Sequence, residues 1–583
     1  MIDLFLSPQI AQDCTDFRAN LCNLWQKKAT RKSTDPRSLI PDPYVTISPL
    51  LMSLFGKEPH IRRLHLTSQR WWPLLLLAII AVGVSLTLIP QEDFWWHLKI
   101  GEWIRANGSI PRTGLYSATR AAAPMFYQSW GSEWLFAVLY DAGGLVLIAL
   151  VRNLLLVATY GLLVWHTLRR TNDNGRATLV ALLLAAAVAF DNWGVRPQTF
   201  SWLLFALMFV IVNEVSVERW PRRVLWALPL IEIVWVNLHG AFTLGPVLVG
   251  CAALGGTLDR RRDHPDAPTY PTARALWLAL GGVILAMVVN PRGIGVITYV
   301  WTLLTDPSSQ RLVSEWVSPF NTLDNPVTQL FFLALLIAVL MVAVGWQRLR
   351  TGDLLAFGAF TVLTLTGIRY QLWFGMVAGP IVAEALVRRG RLTLIKQKGA
   401  SSPLLAWVTL AVALLALIVQ PPLRRFLLYP AALRGAQGPL ANAELAVSAT
   451  PVRAIDFLLA NPPPGPLFHE MRYSSYQIWR AGEQLPTFVD TRVELYPIEQ
   501  WFDYKCITAG RDWQPLLAKY GMTTVLADRE FQKNLIVALQ ASGVWRERYS
   551  DERTIVLERD PAAPPPAQTA TTCPADLAAE DAQ

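Results

Sequence analysis

Residues 71–97 read WWPLLLLAIIAVGVSLTLIPQEDFWWH. The run from Trp71 to Pro90 has the roughly 20 apolar residues that a helix needs to cross a bilayer, so it predicts a membrane-spanning helix. Directly after this run come two carboxylates and an imidazole, on Glu92, Asp93 and His97. Ionisable side chains at a membrane boundary are costly to dehydrate and commonly line a water-filled cavity or take part in chemistry. This stretch is therefore the first candidate for a reaction site, and an interfacial anchor is the alternative.

The composition is that of an integral membrane protein. The 583 residues are 53% hydrophobic and only 16% charged, with a mean hydropathy of +0.31, which is too apolar for a soluble protein with several separate cores. The net charge is +9. The Lys and Arg residues fall in short groups between apolar runs, which argues against a nucleic-acid partner and indicates topology signals. The five Cys residues lack metal-ligand spacing and indicate neither a zinc site nor a disulfide framework.

Apolar runs of membrane-spanning length recur along the chain. We count about eleven, near residues 71–90, 144–168, 177–192, 197–216, 224–238, 240–257, 275–290, 328–346, 353–369, 371–388 and 403–420. Lys and Arg concentrate on the cytoplasmic side of a membrane. The alternate loops carry the arginines, and Arg70 precedes the first run. An N-terminus inside and an odd number of spans then place the C-terminal part outside.

The sequence predicts an α-helical polytopic membrane protein with a small extracytoplasmic α/β domain at its C-terminus. Short apolar runs near 466–470, 487–490, 523–527 and 554–557 predict strands, and helical patterns lie near 474–480, 513–520 and 529–542. The expected organisation is a cytoplasmic segment 1–70 that could be disordered, a transmembrane domain 71–425 with a long first outer loop 91–143, an outer domain 426–560 and a disordered tail 561–583.

Asp93 and His97 are four residues apart, so on a helix they would share a face. A carboxylate such as Asp93 is suited to orient and deprotonate a hydroxyl nucleophile. His97 could bind a metal or steady an anionic leaving group. Glu92 lies on a different face and is the weaker candidate. The alternative is that these groups cap a helix at the membrane interface.

Further polar residues fall on the predicted outer side near the ends of spans. Arginine can hold a phosphate through two parallel hydrogen bonds, so a set of such residues predicts a lipid-phosphate site if they converge. Each one alone could equally be a headgroup contact. The candidates for binding a donor phosphate are Arg196, His239, Arg292 and Arg369.

The C-terminal region carries two polar segments after predicted strands, Arg472 to Tyr476 and Val489 to Tyr496. Loops that follow strands commonly bind ligands. Equally, these residues could cap helices and dock the region on the membrane part.

Several motifs together carry a family resemblance. They are Asp93-Phe94-Trp95-Trp96-His97-Leu98 followed by Gly101, Ile110-Pro111-Arg112-Thr113, Glu133-Trp134-Leu135, Arg196-Pro197-Gln198, Trp235-Val236-Asn237-Leu238-His239-Gly240 and Asn290-Pro291-Arg292-Gly293. Over roughly residues 71–560, the chain resembles bacterial polytopic proteins related to the GT-C glycosyltransferase superfamily, which includes protein O-mannosyltransferases and the lipid A aminoarabinose transferase.

The resemblance implies inverting transfer of a sugar from a polyprenyl-phosphate donor to a lipid, glycan or protein hydroxyl at the outer face of the bacterial inner membrane. An acidic residue of the first outer loop acts at the acceptor in this superfamily, and Glu92 and Asp93 match it, with Asp93 preferred. Asp191 and Glu315 are loose matches for a second acidic residue. Superfamily members that use diphosphate donors bind a metal, so a role for Asp93 and His97 in binding Mg²⁺ or Mn²⁺ stays open.

A non-catalytic GT-C-like assembly subunit and a lipid-linked glycan transporter are the alternatives. Transporters often show two related halves with broken helices at mid-membrane. Here the polar motifs crowd one predicted face and no internal repeat is visible, which favours the enzyme.

Overall fold

The computed structural model describes residues 70–388, 403–428, 445–564 and 573. Most of the predicted N-terminal segment 1–70 and most of the predicted tail 561–583 lie outside these ranges. From residue 70 onward, the described residues belong to one compact unit.

Helices make up most of this unit. Up to residue 428 they are α1 (Trp71–Leu86), α2 (Phe94–Asn107), α3 (Trp130–Arg170), α4 (Gly175–Ala187), α5 (Gln198–Ser216), α6 (Ala227–Val236), α7 (Leu244–Arg261), α8 (Tyr270–Ala286), α9 (Gly295–Thr305), α10 (Pro307–Leu312), α11 (Pro326–Gly345), α12 (Thr351–Thr366), α13 (Gln371–Arg388), α14 (Pro403–Ile418) and α15 (Pro421–Leu428).

Within the described residues, five helices are long and apolar enough to cross a membrane, and the bent pair α14 and α15, at 79°, makes up to six. The five are Trp130–Arg170, Gln198–Ser216, Gly240–Arg261, Pro326–Arg348 and Ile368–Arg388. These are the features of a polytopic membrane protein. The other apolar helices, α1, α4, α8, α9 and α12, have 10–17 residues. The predicted number of about eleven spans therefore stays a prediction.

Helix α3 bends at two glycines. Gly144 has a φ of +62°, in the left-handed region that favours glycine, and Gly143, with φ −165° and ψ 18°, is also non-helical. The bend separates the N-terminal part of α3, which carries Glu133, from the long apolar part. The first loop 91–143 thus contributes two helical segments, α2 and the beginning of α3.

Helix α2 and helix α3 approach each other closely at Gly101. A Cβ atom at this position would lie 1.9 Å from the backbone carbonyl oxygen of Glu133. The glycine in the Asp93-to-Gly101 motif is therefore required because another backbone occupies the space where a side chain would project.

A buried cluster of charged side chains connects several helices at the end of the bundle that is remote from Asp93. Arg170 of α3 donates to Asp353 Oδ2 of α12 at 2.8 Å and also pairs with Glu384 of α13. Arg350 pairs with Asp353 at 2.9 Å, and its Nη2 donates to Asn213 Oδ1 of α5 at 2.6 Å. All five side chains are buried. A buried charge is costly unless it is paired, and each charge in this cluster has a partner of opposite sign.

A four-stranded sheet follows in the C-terminal region. Its strands are β1 (Leu467–His469), β2 (Thr524–Asp528), β3 (Trp545–Ser550) and β4 (Thr554–Arg559), in the order β1-β2-β4-β3. β1 and β2 are parallel and the other pairs antiparallel. Around it lie α16 (Val452–Ala460), α17 (Ser474–Ala481), α18 (Ile498–Thr508), α19 (Trp513–Lys519) and α20 (Lys533–Ala541).

Two expectations for this region were wrong. Residues 487–490 are not a strand of the sheet, because Thr487 instead forms an isolated bridge with Ser117 of the first loop. The sequence also missed a disulfide, between Cys506 and Cys573, whose Cα atoms are 6.1 Å apart. A sequence separation of 67 residues gives no local signal of this pairing.

Residues after β1 dock the C-terminal region on the first loop. Arg492 is buried and pairs with Asp490 through Nε to Oδ1, at 2.9 Å, and Nη2 to Oδ2, at 2.6 Å. The same guanidinium donates to the Leu115 carbonyl at 2.8 Å and to the Tyr127 hydroxyl at 3.1 Å. These contacts give Asp490 and Arg492 a docking role.

Replacing Gly101 by Ala should force α2 away from α3, because the new methyl group would overlap the Glu133 carbonyl oxygen. We expect a loss of about 1–3 kcal/mol of stability, measured as a lower apparent Tm of the purified protein in detergent. The control is Gly358→Ala in α12, where a Cβ would meet no atom within 4 Å. Equal Tm values for the two variants would contradict the close approach.

Candidate functional site

Asp93 lies at the corner between α1 and α2 and faces an arginine. It is the N-cap residue of α2, but its side chain makes no capping hydrogen bond. Its Oδ2 atom lies 3.5 Å from Nε of Arg196, which directly precedes Pro197 and the start of α5. Both side chains are a little over a quarter exposed, so the pair is accessible to a substrate.

Arg196 joins a second carboxylate, which comes from a distant loop. Its Nη1 donates to Oε1 of Glu315, in the short helical turn Ser314–Trp316. Burial raises the pKa of Glu315, but the guanidinium groups of Arg196 and Arg369 and the hydrogen bond from Arg196 outweigh burial and hold this pKa below its ordinary value. One guanidinium thus links the carboxylates of Asp93 and Glu315.

Arg369 supplies a second positive charge to this cluster. Its guanidinium carbon lies 4.2 Å from the ring centroid of Trp316, a cation–π contact. Its positive charge lowers the pKa of Glu315 and the pKa of His239. Among the described residues, Arg369 forms no ion pair, and its side chain is partly exposed.

His97 is directed towards Glu133. Its Nδ1 lies 2.9 Å from Glu133 Oε1, and its ring packs on Trp96 with centroids 3.6 Å apart. Burial is the main influence on the pKa of His97 and lowers it, against the opposing effect of Glu133. Asp93 and His97 were expected to point together, but they have different primary partners. The positive charge of Arg196 nevertheless helps to lower the pKa of His97, so the Asp93–Arg196 pair and the His97–Glu133 pair are neighbours.

His239 is a neutral hydrogen-bonding group. Burial, with smaller effects of the positive charge of Arg369 and of His97, lowers the pKa of His239 to about 3. Nδ1 lies 3.0 Å from the Ser201 hydroxyl and accepts from the Ala241 N–H at 3.3 Å. Trp235 Nε1 donates to the Ser201 oxygen at 2.7 Å, which leaves the Ser201 proton for His239. Nδ1 is therefore an acceptor, and Nε2 carries the proton as a donor.

The structure leaves two of the candidate residues apart from this cluster. Arg292 stacks on Phe126 at 4.4 Å and lines a separate cavity of about 450 Å³ together with Arg112. Asp191 is exposed in the short turn Phe190–Asn192. Glu92 lies near enough for its negative charge to raise the pKa of Arg196. Glu92 therefore stays a secondary candidate.

The donors present do not fit a metal ion in the described part of the chain. Among the described residues, no group of three His, Cys, Asp or Glu side chains is placed to hold one. The two predicted ligands have other partners, since Asp93 faces Arg196 and His97 Nδ1 is bound to Glu133.

Sequence reasoning did not select Glu133 or Ser201 for the site. Glu133 belongs to the motif Glu133-Trp134-Leu135, which carries part of the family resemblance and could have indicated its place in the site. Ser201 lies one turn into α5 in an apolar run and carried no signal. Its role depends on the approach of Trp235 and His239 from elsewhere in the chain.

No protein-family model matches the chain, and no curated protein sequence matches it. Among solved structures, ArnT from Cupriavidus metallidurans in the apo state is similar, with 16% identity, a TM-score of 0.47 and coverage of 83% of this chain and 96% of that one. ArnT bound to undecaprenyl phosphate matches with 15% identity, a TM-score of 0.45 and coverage of 83% and 97%.

The archaeal oligosaccharyltransferase AglB from Archaeoglobus fulgidus, in complex with an inhibitory peptide and a dolichol-phosphate, is similar with 12% identity, a TM-score of 0.42 and coverage of 84% of this chain and 75% of that one. AglB and ArnT are members of the GT-C superfamily that the sequence motifs resemble. All these TM-scores lie below 0.5, so a function for this chain rests on its own site.

Glu315→Gln should change the pH dependence of stability. The folded-state pKa of Glu315 is lowered, so its contribution is present above the ordinary carboxyl pKa of about 4.3 and is lost as the pH falls through the lower folded-state value. We expect an apparent Tm about 1–3 °C below wild type at pH 7 and equal values in stronger acid, by a thermal scan in detergent.

The control for this experiment is Asp324→Asn, which removes an exposed carboxylate. A Tm difference for the Glu315 variant that stays constant from neutral to acid pH would show that the side chain acts through packing alone.

Proposed function

We propose that this chain is a membrane glycosyltransferase that moves a sugar from a polyprenyl-phosphate donor to an acceptor hydroxyl on a lipid, glycan or protein. The observation that carries the proposal is the Asp93–Arg196–Glu315 arrangement with Arg369 beside it. It supplies a carboxylate for a proton and cations for a phosphate within one cluster.

Each group has a role in this reaction. Asp93 accepts the proton of the acceptor hydroxyl as its oxygen bonds to the anomeric carbon of the sugar. The bond from that carbon to the phosphate oxygen breaks, and its electron pair leaves with the phosphate. Arg369 stabilises this charge, and the Nε2–H of His239 adds a neutral donor. Arg196 orients Asp93, and Glu315 holds Arg196 in place.

The proposed location is the bacterial inner membrane, with the N-terminus inside and the reaction outside. Helix α5 joins Arg196 to the Asn213 end of the bundle, and its 19 residues span about 28 Å, close to the thickness of a bilayer core. Arg170 and Arg350 lie at that remote end, as the excess of basic residues on the cytoplasmic side requires. The Cys506–Cys573 disulfide suits an oxidising outer compartment.

Asp93→Asn should abolish most of the transfer activity, because the amide cannot accept the hydroxyl proton. We expect a loss of at least about 10²-fold, measured as transfer of label from a polyprenyl-phosphate sugar in membranes that contain the protein. The matched control is Asp191→Asn, since Asp191 is exposed and apart from the cluster. Undiminished transfer by a folded Asp93 variant would remove Asp93 from this role.

The proposed orientation can be tested with single cysteines in a variant that lacks Cys14, Cys22 and Cys251. Glu552 and Arg262 are both exposed. A membrane-impermeant maleimide should label Glu552→Cys in intact spheroplasts and Arg262→Cys only after lysis. The reverse pattern would contradict an outward C-terminal region.

A further inference from the structure

The beginning of α2 is capped by a residue from the other end of the chain. The first N–H groups of a helix have no partner within it, and an Asp at the N-cap commonly accepts from the third helical residue. Asp93 occupies that position without making the bond. Instead, the backbone N–H of Trp96, the third residue of α2, donates to Oγ of Ser475 at 3.0 Å.

Ser475 is held firmly in this position. It is buried in α17, and α17 packs on α2 through aromatic side chains. Trp95 contacts Tyr476 edge-on, with ring centroids 5.2 Å apart, and lies 4.8 Å from the ring of Trp479. Trp479 Nε1 in turn donates to Glu102 Oε1 of α2 at 3.2 Å. The hydroxyl is thus presented to Trp96 by two helices that are packed together.

We propose that Ser475 is a positioning residue, which occupies the Trp96 N–H and so keeps the Asp93 carboxylate directed towards Arg196. Asp93 has helical backbone angles, with φ −95° and ψ −38°, and its side chain lies beside the guanidinium. A turn of this backbone to the extended conformation of an ordinary N-cap would bring the carboxylate to the Trp96 N–H instead. An N-cap bond and a partly exposed ion pair are similar in free energy. Neither orientation of Asp93 would therefore dominate if the Trp96 N–H were free. This inference rests on the proposed role of Asp93 in proton transfer.

The chain offers a matched control next to Ser475. Ser474 is equally buried on the same helix, and its hydroxyl has no hydrogen-bond partner among the described residues. Ser474→Ala and Ser475→Ala therefore remove the same atom from two equally buried positions of one helix. Only the second removes the cap of α2.

The first measurement is amide hydrogen exchange at Trp96, which needs no substrate. In wild type and in Asp93→Ala, the bond to Ser475 should protect this N–H equally. In Ser475→Ala, Asp93 should occupy the N–H in about half of the molecules. Adding Asp93→Ala to that variant should then speed exchange by about twofold. Equal exchange in Ser475→Ala with and without Asp93 would overturn the proposal.

The second measurement is transfer from the labelled polyprenyl-phosphate sugar. Ser475→Ala should lower kcat about twofold with little change in the KM for the donor, Ser475→Thr should restore it, and Ser474→Ala should match wild type. Equal effects of the two alanine variants would mean that Ser475 only fills space. The expected exchange pattern without transfer by any variant would refute the proposed function and leave the competition for the Trp96 N–H intact.

Discussion

The guanidinium of Arg196 lies between two carboxylates and connects three parts of the chain. Asp93 comes from the corner after α1, Arg196 from the turn before α5, and Glu315 from the turn after α10. Placing a charge in a partly buried position costs solvation, which these two partners offset. Loss of the guanidinium would leave two carboxylates facing each other, so the geometry of the whole cluster depends on this residue.

The first loop is fixed from two sides. On the membrane side, His97 binds Glu133 and α2 touches α3 at Gly101. On the C-terminal side, Ser475 caps α2 and the buried Arg492 binds Leu115 and Tyr127. The proposed catalytic role of Asp93 requires that its carboxylate be held within a fraction of an ångström. Support from both sides explains how a residue at a helix end can be held in this way.

Particular residues show how far the sequence could lead. The boundary position of Asp93 and the arginine before α5 were both recognisable, because ionisable groups next to apolar runs stand out. The four-residue spacing of Asp93 and His97 brought the two residues close together but did not specify their partners, which are Arg196 and Glu133. Arg292 stood at a span end like Arg369, yet it lies in another cavity with Arg112. Position along the chain places a residue at one end of the bundle without specifying its neighbours there.

The sequence by itself determined the membrane class, the helical character and the ends at which polar residues gather, because apolar run length and charge placement act locally along the chain. The tertiary structure alone decided the pairs: Arg196 with Asp93 and Glu315, His97 with Glu133, and Trp96 with Ser475. These partners are separated by 36 to 379 residues. No local pattern encodes such a contact, because it forms only when packed helices and the docked C-terminal region bring distant segments together.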